Sequence, residues 1–215
     1  MMKSAWIDTG RKWMSSLLWV AAVGLTGTGT AWSQSAEMVG VNYPGALRVE
    51  GVQLVLNGSG VSYRGMSKQY TVGLYTPRKS DRVETAMAGF NSPLQLRFVM
   101  LQNLRMDELG MAITRGMEAN SERDEFFRLV PAIRTMGDVF SRIKRLEAGD
   151  ILSVEYVPRR GTLFLVNEQP IGLPIAAPVF FQALSRVWLG KKPVTQDLKD
   201  SLLDFRPPPV LEALR

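Results

Sequence analysis

The chain has 215 residues, of which 46% are hydrophobic and 21% charged, enough for one globular domain with a substantial core. Its net charge of +6 is scattered along the sequence and forms no basic run interleaved with aromatic residues, which argues against a nucleic-acid partner. Cysteine and histidine are both absent, which excludes disulfides, Ser-His and Cys-His nucleophile pairs, and zinc or haem sites built on those residues, so we expect no cofactor.

The first 33 residues predict a secretory signal peptide. A basic start at residues 3–12 is followed by an apolar stretch at 13–25 and by a small-x-small cleavage site, Ala-Trp-Ser, at 31–33. The apolar stretch is shorter than the roughly 20 residues of a membrane-spanning helix, and no basic flank follows it. We expect cleavage after residue 33, or else after residue 36, with an uncleaved anchor as the alternative. The sequence therefore predicts a periplasmic protein that has no stable membrane span.

Short strands dominate the first third of the mature chain. Leu47, Val49, Leu54 and Leu56 occupy strand-like positions on either side of Gly51, which predicts two strands joined at that glycine. A further one or two strands are expected between residues 60 and 76.

The stretch Asn-Gly-Ser-Gly at residues 57–60 has glycines spaced like those of a phosphate-binding loop. Such loops also need a helix directly after them and a Lys-Ser/Thr pair or a third glycine, and neither is present. Residues 61–63 and 68–75 are instead rich in the β-branched and aromatic types of strands. We interpret 57–60 as a turn between two strands.

The middle of the chain changes from strand to helix. Ser80 is a candidate N-cap for a short helix, and residues 94–100 alternate with the period of two of a half-buried strand. Helical spacing begins at Met106, and a second helix is predicted from about residue 123 into the 140s. We expect that second helix to break near Pro131 and Gly137, because proline in a helix interior costs about 3 kcal/mol.

The last third predicts a hairpin followed by helices. Residues 151–157 and 162–166 form its strands around a Pro-Arg-Arg-Gly turn, and Asn-Glu at 167–168 opens another tight turn. A helix lined by aromatic residues ends at Gly190, a shorter helix covers 197–203, and a proline-rich tail occupies 204–215. This segregation predicts an α+β fold, a mostly antiparallel sheet with helices on one face.

Three stretches, in this order, resemble a known family. They are LNGSGVSYRGMSKQYTVGLYTP, AGDILSVEYVPRRGTLFLVNEQPIG and FFQALSRVWLGKKPVTQDLKDSLL. All three are similar to the chalcone isomerase-like proteins that bacteria export, and the resemblance spans residues 39–203. It implies one domain at 37–203 with the open-faced β-sandwich of chalcone isomerase, in which a large antiparallel sheet is covered by a layer of helices. The ligand cleft of that fold lies between sheet and helices.

The resemblance also implies a site, most of whose polar residues are replaced in this chain. Ser62 stands where relatives carry the arginine that stabilises the attacking phenolate, and Arg64 follows two positions later on the same side of the strand. Tyr70 falls near the family's threonine, and Met106 and Ile113 are the nearest counterparts of its tyrosine and asparagine. Stabilising an enolate usually needs several oriented donors together, so we predict the shell of a site without catalytic residues.

Three functions stay open at this point. The first is a non-catalytic protein that binds a small apolar or amphipathic acid, such as a fatty acid, in the sheet–helix cleft through Arg64, with Ser62, Tyr70, Met106 and Ile113 around it. The second is an intramolecular lyase or isomerase that acts on a phenolic substrate through Arg64 and Tyr70. The third is an envelope interaction protein without a ligand. A deep cleft lined by Arg64 favours the first two functions, and a filled sheet–helix interface favours the third.

The signal peptide leads to a direct test. N-terminal sequencing or intact-mass analysis of the protein recovered from the periplasm should find a chain that begins at Gln34 or Glu37. Finding Met1 intact in that fraction would contradict cleavage.

Overall fold

The computed structural model describes residues 36–87 and 91–203. The predicted signal peptide and the proline-rich tail lie outside these residues. The described strands are β1 (Ala36–Met38), β2 (Val41–Tyr43), β3 (Ala46–Val49), β4 (Val52–Arg64), β5 (Ser67–Thr76), β6 (Leu94–Met100), β7 (Leu104–Arg105), β8 (Arg145–Leu146), β9 (Ile151–Val157), β10 (Gly161–Val166) and β11 (Gln169–Pro170). The described helices are α1 (Val83–Ala86), α2 (Met106–Ala119), α3 (Arg123–Phe140), α4 (Pro178–Leu189) and α5 (Gln196–Leu202).

A single large sheet organises the chain. Its seven strands run in the order β11-β10-β9-β6-β5-β4-β3, and each neighbouring pair is antiparallel. Helices α4 and α5 pack closely on strands of the sheet, and α2 and α3 pack against α4 and against each other. Phe140 of α3 also contacts Phe164 of β10, with ring centroids 5.0 Å apart. The α+β open-faced sandwich expected from the sequence is therefore confirmed.

The Asn-Gly-Ser-Gly stretch does not form the turn that we predicted, because it lies inside β4. The Asn57 amide donates to the backbone oxygens of Ser80 at 2.9 Å and of Leu202 at 2.7 Å, and its oxygen accepts from the Ser80 N–H at 2.7 Å. A buried asparagine that makes three such bonds ties the strand to the loop after β5 and to the end of α5.

The glycines of this stretch are explained by the same contact. A β-carbon at Gly58 would collide with the backbone of Ser201 and Leu202, and one at Gly60 would press on the Leu198 side chain. Both positions lack a side chain because α5 lies directly on the strand. The turn between β4 and β5 comes later, at residues 65–66.

The main core fills the space between the sheet and the helices. Phe98 of β6 packs against Trp188 of α4 with ring centroids 4.9 Å apart, and against Tyr70 of β5 at 5.5 Å. The Trp188 indole N–H donates to the Tyr70 hydroxyl at 3.1 Å, so the polar ends of both rings are satisfied inside the core. Tyr156 and Phe181 form a further ring contact across the interface, at 5.4 Å.

A second, smaller core covers the opposite face of the sheet. Tyr43, Leu54, Leu56 and Tyr75 are buried there. The Tyr43 hydroxyl donates to Thr71 at 2.7 Å. The open face of the sandwich is thus partly covered where β2 lies over it.

The prediction of a broken second helix was wrong, because α3 runs without interruption from residue 123 to residue 140. Pro131 lies on the exposed side of α3, and Phe127, whose carbonyl loses its helical bond, is 59% exposed. Water can therefore satisfy that carbonyl, and tertiary packing of the buried side keeps the helix continuous. The cap prediction for α1 also needs correction. The helix begins after Arg82, and Ser80 instead accepts a hydrogen bond from the Arg82 N–H.

The Asn57 contact gives a stability prediction. Asn57→Ala should lower the free energy of unfolding by about 2–4 kcal/mol, because it leaves buried backbone groups of Ser80 and Leu202 unpaired. Asn103→Ala is the matched control, since Asn103 is exposed and accepts one bond, from the Ala148 N–H. The control should lose less than about 1 kcal/mol in the same urea titration. Equal losses in the two variants would contradict the structural role of Asn57.

Candidate ligand-binding site

Ser62 and Tyr70 meet inside the core, at opposed positions of β4 and β5. Ser62 is 2% exposed and Tyr70 is 5% exposed, and a hydrogen bond joins the two hydroxyl groups. Burial raises the pKa of the Tyr70 phenol, and the hydrogen bonds with Ser62 and Trp188 act in the opposite direction. The phenol therefore stays protonated at neutral pH, in a setting that does not suit proton transfer.

Met106 and Ile113, the other two apolar positions of the predicted site, lie on α2. They are 1% and 2% exposed and belong to the main core. Neither side chain can donate a hydrogen bond. The interface in which these residues meet is occupied by packed side chains, among them Phe98 and Trp188.

Arg64 lies at the exposed end of β4, and its part in ligand binding, expected from the sequence, stays a prediction. The pairing of β4 with β5 shifts register between Ser62 and Tyr63, and Ser62 is the last buried position of the strand. The Arg64 side chain beyond it reaches Glu108 of α2 at 3.3 Å. The side chain is 60% exposed and its partner 41%. A pair as exposed as this contributes about 0–1 kcal/mol to stability.

A cavity of about 900 Å³ lies elsewhere, between α2 and α3. Apolar residues and glycines form its floor: Met106, Gly110, Met111, Ile133, Met136, Gly137, Phe140 and Ile143. Polar residues surround them: Arg105, Asp107, Thr114, Arg115, Ser141, Lys144 and Arg145. The size and the apolar floor with a few polar groups are typical of small-molecule sites.

Two glycines line this space. Gly137 of α3 has no heavy atom within 4 Å of the place a β-carbon would take, so it opens directly on the cavity. A β-carbon on Gly110 of α2 would lie 3.3 Å from the Phe140 ring, which shows how closely that ring approaches the helix backbone. The two helices run antiparallel from a short connection at 120–122, and their free ends meet where the Met106 N–H donates to the Lys144 carbonyl at 3.2 Å.

The cations at the cavity rim differ in whether they are already paired. Arg105 contacts Asp107 through two nitrogens, with Nε 2.9 Å from Oδ1, and this hydrogen bond lowers the pKa of Asp107. Arg145 contacts Glu147 at 2.6 Å. Lys144 and Arg115, by contrast, form no ion pair with any residue in the described ranges. They are the charges available to an anionic group in the cavity.

Of the five residues predicted for the site, only Met106 lines this cavity. The sequence did indicate amphipathic helices at α2 and α3, but it did not show which faces would meet. A usable signal was the presence of Gly110 and Gly137 within those helices, since glycine in a helix interior is costly and usually has a packing reason. Lys144 was missed because its sequence neighbours give it no distinguishing pattern.

Two negative findings apply to the described part of the chain. It contains no group of three or more acidic side chains that could hold a metal ion. None of its helices is long and apolar enough to cross a bilayer.

Comparison with known proteins places the chain in a family. A sequence profile described as chalcone isomerase-like matches residues 35–204. The crystal structure of a fatty-acid binding protein from Arabidopsis thaliana superposes with a TM-score of 0.62 at 10% identity, covering 80% of this chain and 96% of that one. At such an identity the likeness shows a shared fold. No match was found among curated proteins.

The buried tyrosines predict a loss of stability at alkaline pH. Burial raises the pKa of Tyr43, Tyr70 and Tyr75 above the ordinary value of 10.0, so the unfolded chain releases these protons first as the pH rises. The free energy of unfolding should hold steady below that pH and then fall, by about 1.4 kcal/mol per pH unit for each tyrosine. Urea unfolding at a series of alkaline pH values measures the slope. Tyr70→Phe should make the slope shallower, and an unchanged slope would contradict the burial of that phenol.

Proposed function

Because the chain belongs to the chalcone isomerase-like family, we propose that it is a non-catalytic binding protein for a small amphipathic acid, such as a fatty acid. The observation that carries this proposal is the cavity between α2 and α3, which combines an apolar floor with unpaired cations at its rim. We further propose that the protein works in the periplasm, as its signal-like N-terminus indicates.

The apolar floor suits an aliphatic chain. Methylene groups gain about 0.8 kcal/mol each on burial, so several carbons suffice for appreciable affinity. Three methionines, Met106, Met111 and Met136, contribute to the lining. Their unbranched, polarisable side chains adapt to ligands of different shape, which favours a range of acyl chains over one rigid molecule.

The acid group is assigned to Lys144. This side chain is unpaired, lines the cavity and lies beside the first turn of α2, where the helix dipole also favours negative charge. Arg115 is the second choice. It lies on α2, nine residues and roughly 13 Å after Met106. It is therefore far from the N-terminal end of that helix, where the dipole favours an anion. Arg64 comes third, because Glu108 already neutralises it outside the cavity.

The structural likeness to the Arabidopsis thaliana protein supports only the class of ligand that we propose. That protein is described as a fatty-acid binding protein, and it shares the fold of this chain. Its binding property is transferred here as a proposal, and the cavity between α2 and α3 supplies independent support from the chain itself.

A catalytic role on a phenolic substrate receives less support. The hydroxyl of Tyr70 is closed off in the core between Ser62 and Trp188, and Met106 and Ile113 offer no donor for an enolate. Electrostatic stabilisation of such an intermediate relies on several donors aimed at one oxygen. The filled sheet–helix interface would by itself favour a protein without a ligand, but the cavity between the helices provides the room that the interface lacks.

The ligand proposal is tested by removing the charge at Lys144. Lys144→Met should weaken the binding of a fluorescent fatty acid about tenfold, the lower end for a charge-assisted hydrogen bond, because the residue is exposed. The corresponding fatty alcohol should bind the wild type and Lys144→Met equally. Arg64→Gln is the comparison and should change the affinity less than about twofold.

Two substitutions at Gly137 test whether the acyl chain of the ligand binds in the cavity. Gly137→Phe should fill the cavity and abolish binding, whereas Gly137→Ala should leave binding intact and raise the free energy of unfolding by about 0.5–1 kcal/mol. If Arg64→Gln loses affinity while Lys144→Met and Gly137→Phe bind as the wild type does, the ligand binds in the sheet–helix cleft instead.

The absence of catalysis is a separate prediction. Cyclisation of a chalcone in the presence of the protein should run no faster than in buffer alone. A rate enhancement of about 10³, equivalent to some 4 kcal/mol of transition-state stabilisation, would show that a working set of donors exists. Heat-unfolded protein at the same concentration is the control for non-specific effects.

A further inference from the structure

The two helices around the cavity carry their charges unevenly. At the closed end of the hairpin, residues 118–125 contain four carboxylates and a single arginine. At the open end, the loop Ser-Arg-Ile-Lys-Arg at 141–145 contains three cations and no acid, and its Ile143 and Lys144 line the cavity. Asp107 at the cavity rim and Glu147 just after the loop already pair with Arg105 and Arg145. The cavity therefore opens next to two cations, Arg142 and Lys144, that form no ion pair with any described residue.

Exposed apolar side chains accompany this opening. Val130 of α3 is 47% exposed, and steps of four and three residues lead from it through Arg134 to Gly137 at the cavity. Residues with this spacing share one stripe of a helix. Met111, on the opposite helix, lines the cavity and is 49% exposed. Two large apolar side chains, Val130 and Met111, are thus exposed on the side on which the cavity opens, together with the exposed Arg134.

We propose that this surface, formed by the 141–145 loop, Met111 and the exposed stripe of α3, docks on an anionic lipid bilayer. The inference rests on the proposed function, since an acyl ligand must enter or leave through the cavity opening. Cations near an anionic membrane are each attracted to it, and exposed apolar side chains between them add contact with the headgroup region. The carboxylates of the closed end are repelled by the same surface, which orients the opening towards the lipid.

The charge pattern favours a bilayer over a folded protein partner. A bilayer offers a broad negative field without fixed partners, and the loop matches it with unpaired cations at Arg142 and Lys144 in the described structure. A fluid apolar boundary also suits separate exposed side chains such as Val130 and Met111.

The test is flotation of the mature protein with vesicles of phosphatidylcholine alone or mixed with phosphatidylglycerol. We expect binding to the mixed vesicles, weakened by added sodium chloride, and little binding to phosphatidylcholine alone. Arg142→Glu should lower the affinity for mixed vesicles about tenfold. Arg142 is exposed and does not line the cavity, so binding of the soluble fluorescent acid should not change.

Lys79→Glu is the matched control, an identical charge reversal at an exposed lysine in the loop that Asn57 ties to α5. It should change vesicle affinity less than about twofold. The docking proposal is overturned by absence of binding to either vesicle, by equal binding to both, or by equal losses in Arg142→Glu and Lys79→Glu. Failure of the proposed function would look different, because the wild type would then not bind the soluble acid, whatever the vesicles do.

Discussion

The hydrogen bond from the Trp188 indole to the Tyr70 hydroxyl is the contact on which the arrangement of this protein depends. It joins α4 to the middle of the sheet and satisfies two polar groups that burial would otherwise leave costly. With Phe98 packed against both rings, side chains take up the space between sheet and helices. The same contact turns Tyr70 into a structural residue, because its phenol is buried, hydrogen-bonded and held protonated.

Because side chains fill the sheet–helix interface, the space for a ligand lies elsewhere in the fold. The cavity lies between α2 and α3, where Gly137 has no side chain to fill the space. Its floor is apolar and its rim carries Lys144 without an ionic partner in the described residues. Membership of the family fixes the architecture, but the side chains of this chain decide where a ligand fits and whether chemistry can follow.

Much of the fold could be predicted from the sequence, because strand alternation and helical spacing are local signals. The alternation at 94–100 and the hairpin around 158–161 are examples of strands found where expected. The Asn-Gly-Ser-Gly stretch misled us because its glycines serve a contact with α5, about 140 residues later in the chain. The candidate site was harder to predict from the sequence than the fold. Whether Arg64 enters a cleft depends on where β4 ends relative to the helices, which no local pattern records.

The most direct test of this account is the position of the acyl chain. In an NMR titration of methionine methyl groups with a medium-chain fatty acid, the account predicts shifts at Met106, Met111 and Met136, which line the cavity. Met100 and Met117, buried in the main core on β6 and α2, should not respond. Shifts at Met100 and Met117 with none at Met111 and Met136 would place the ligand between sheet and helices and contradict the account.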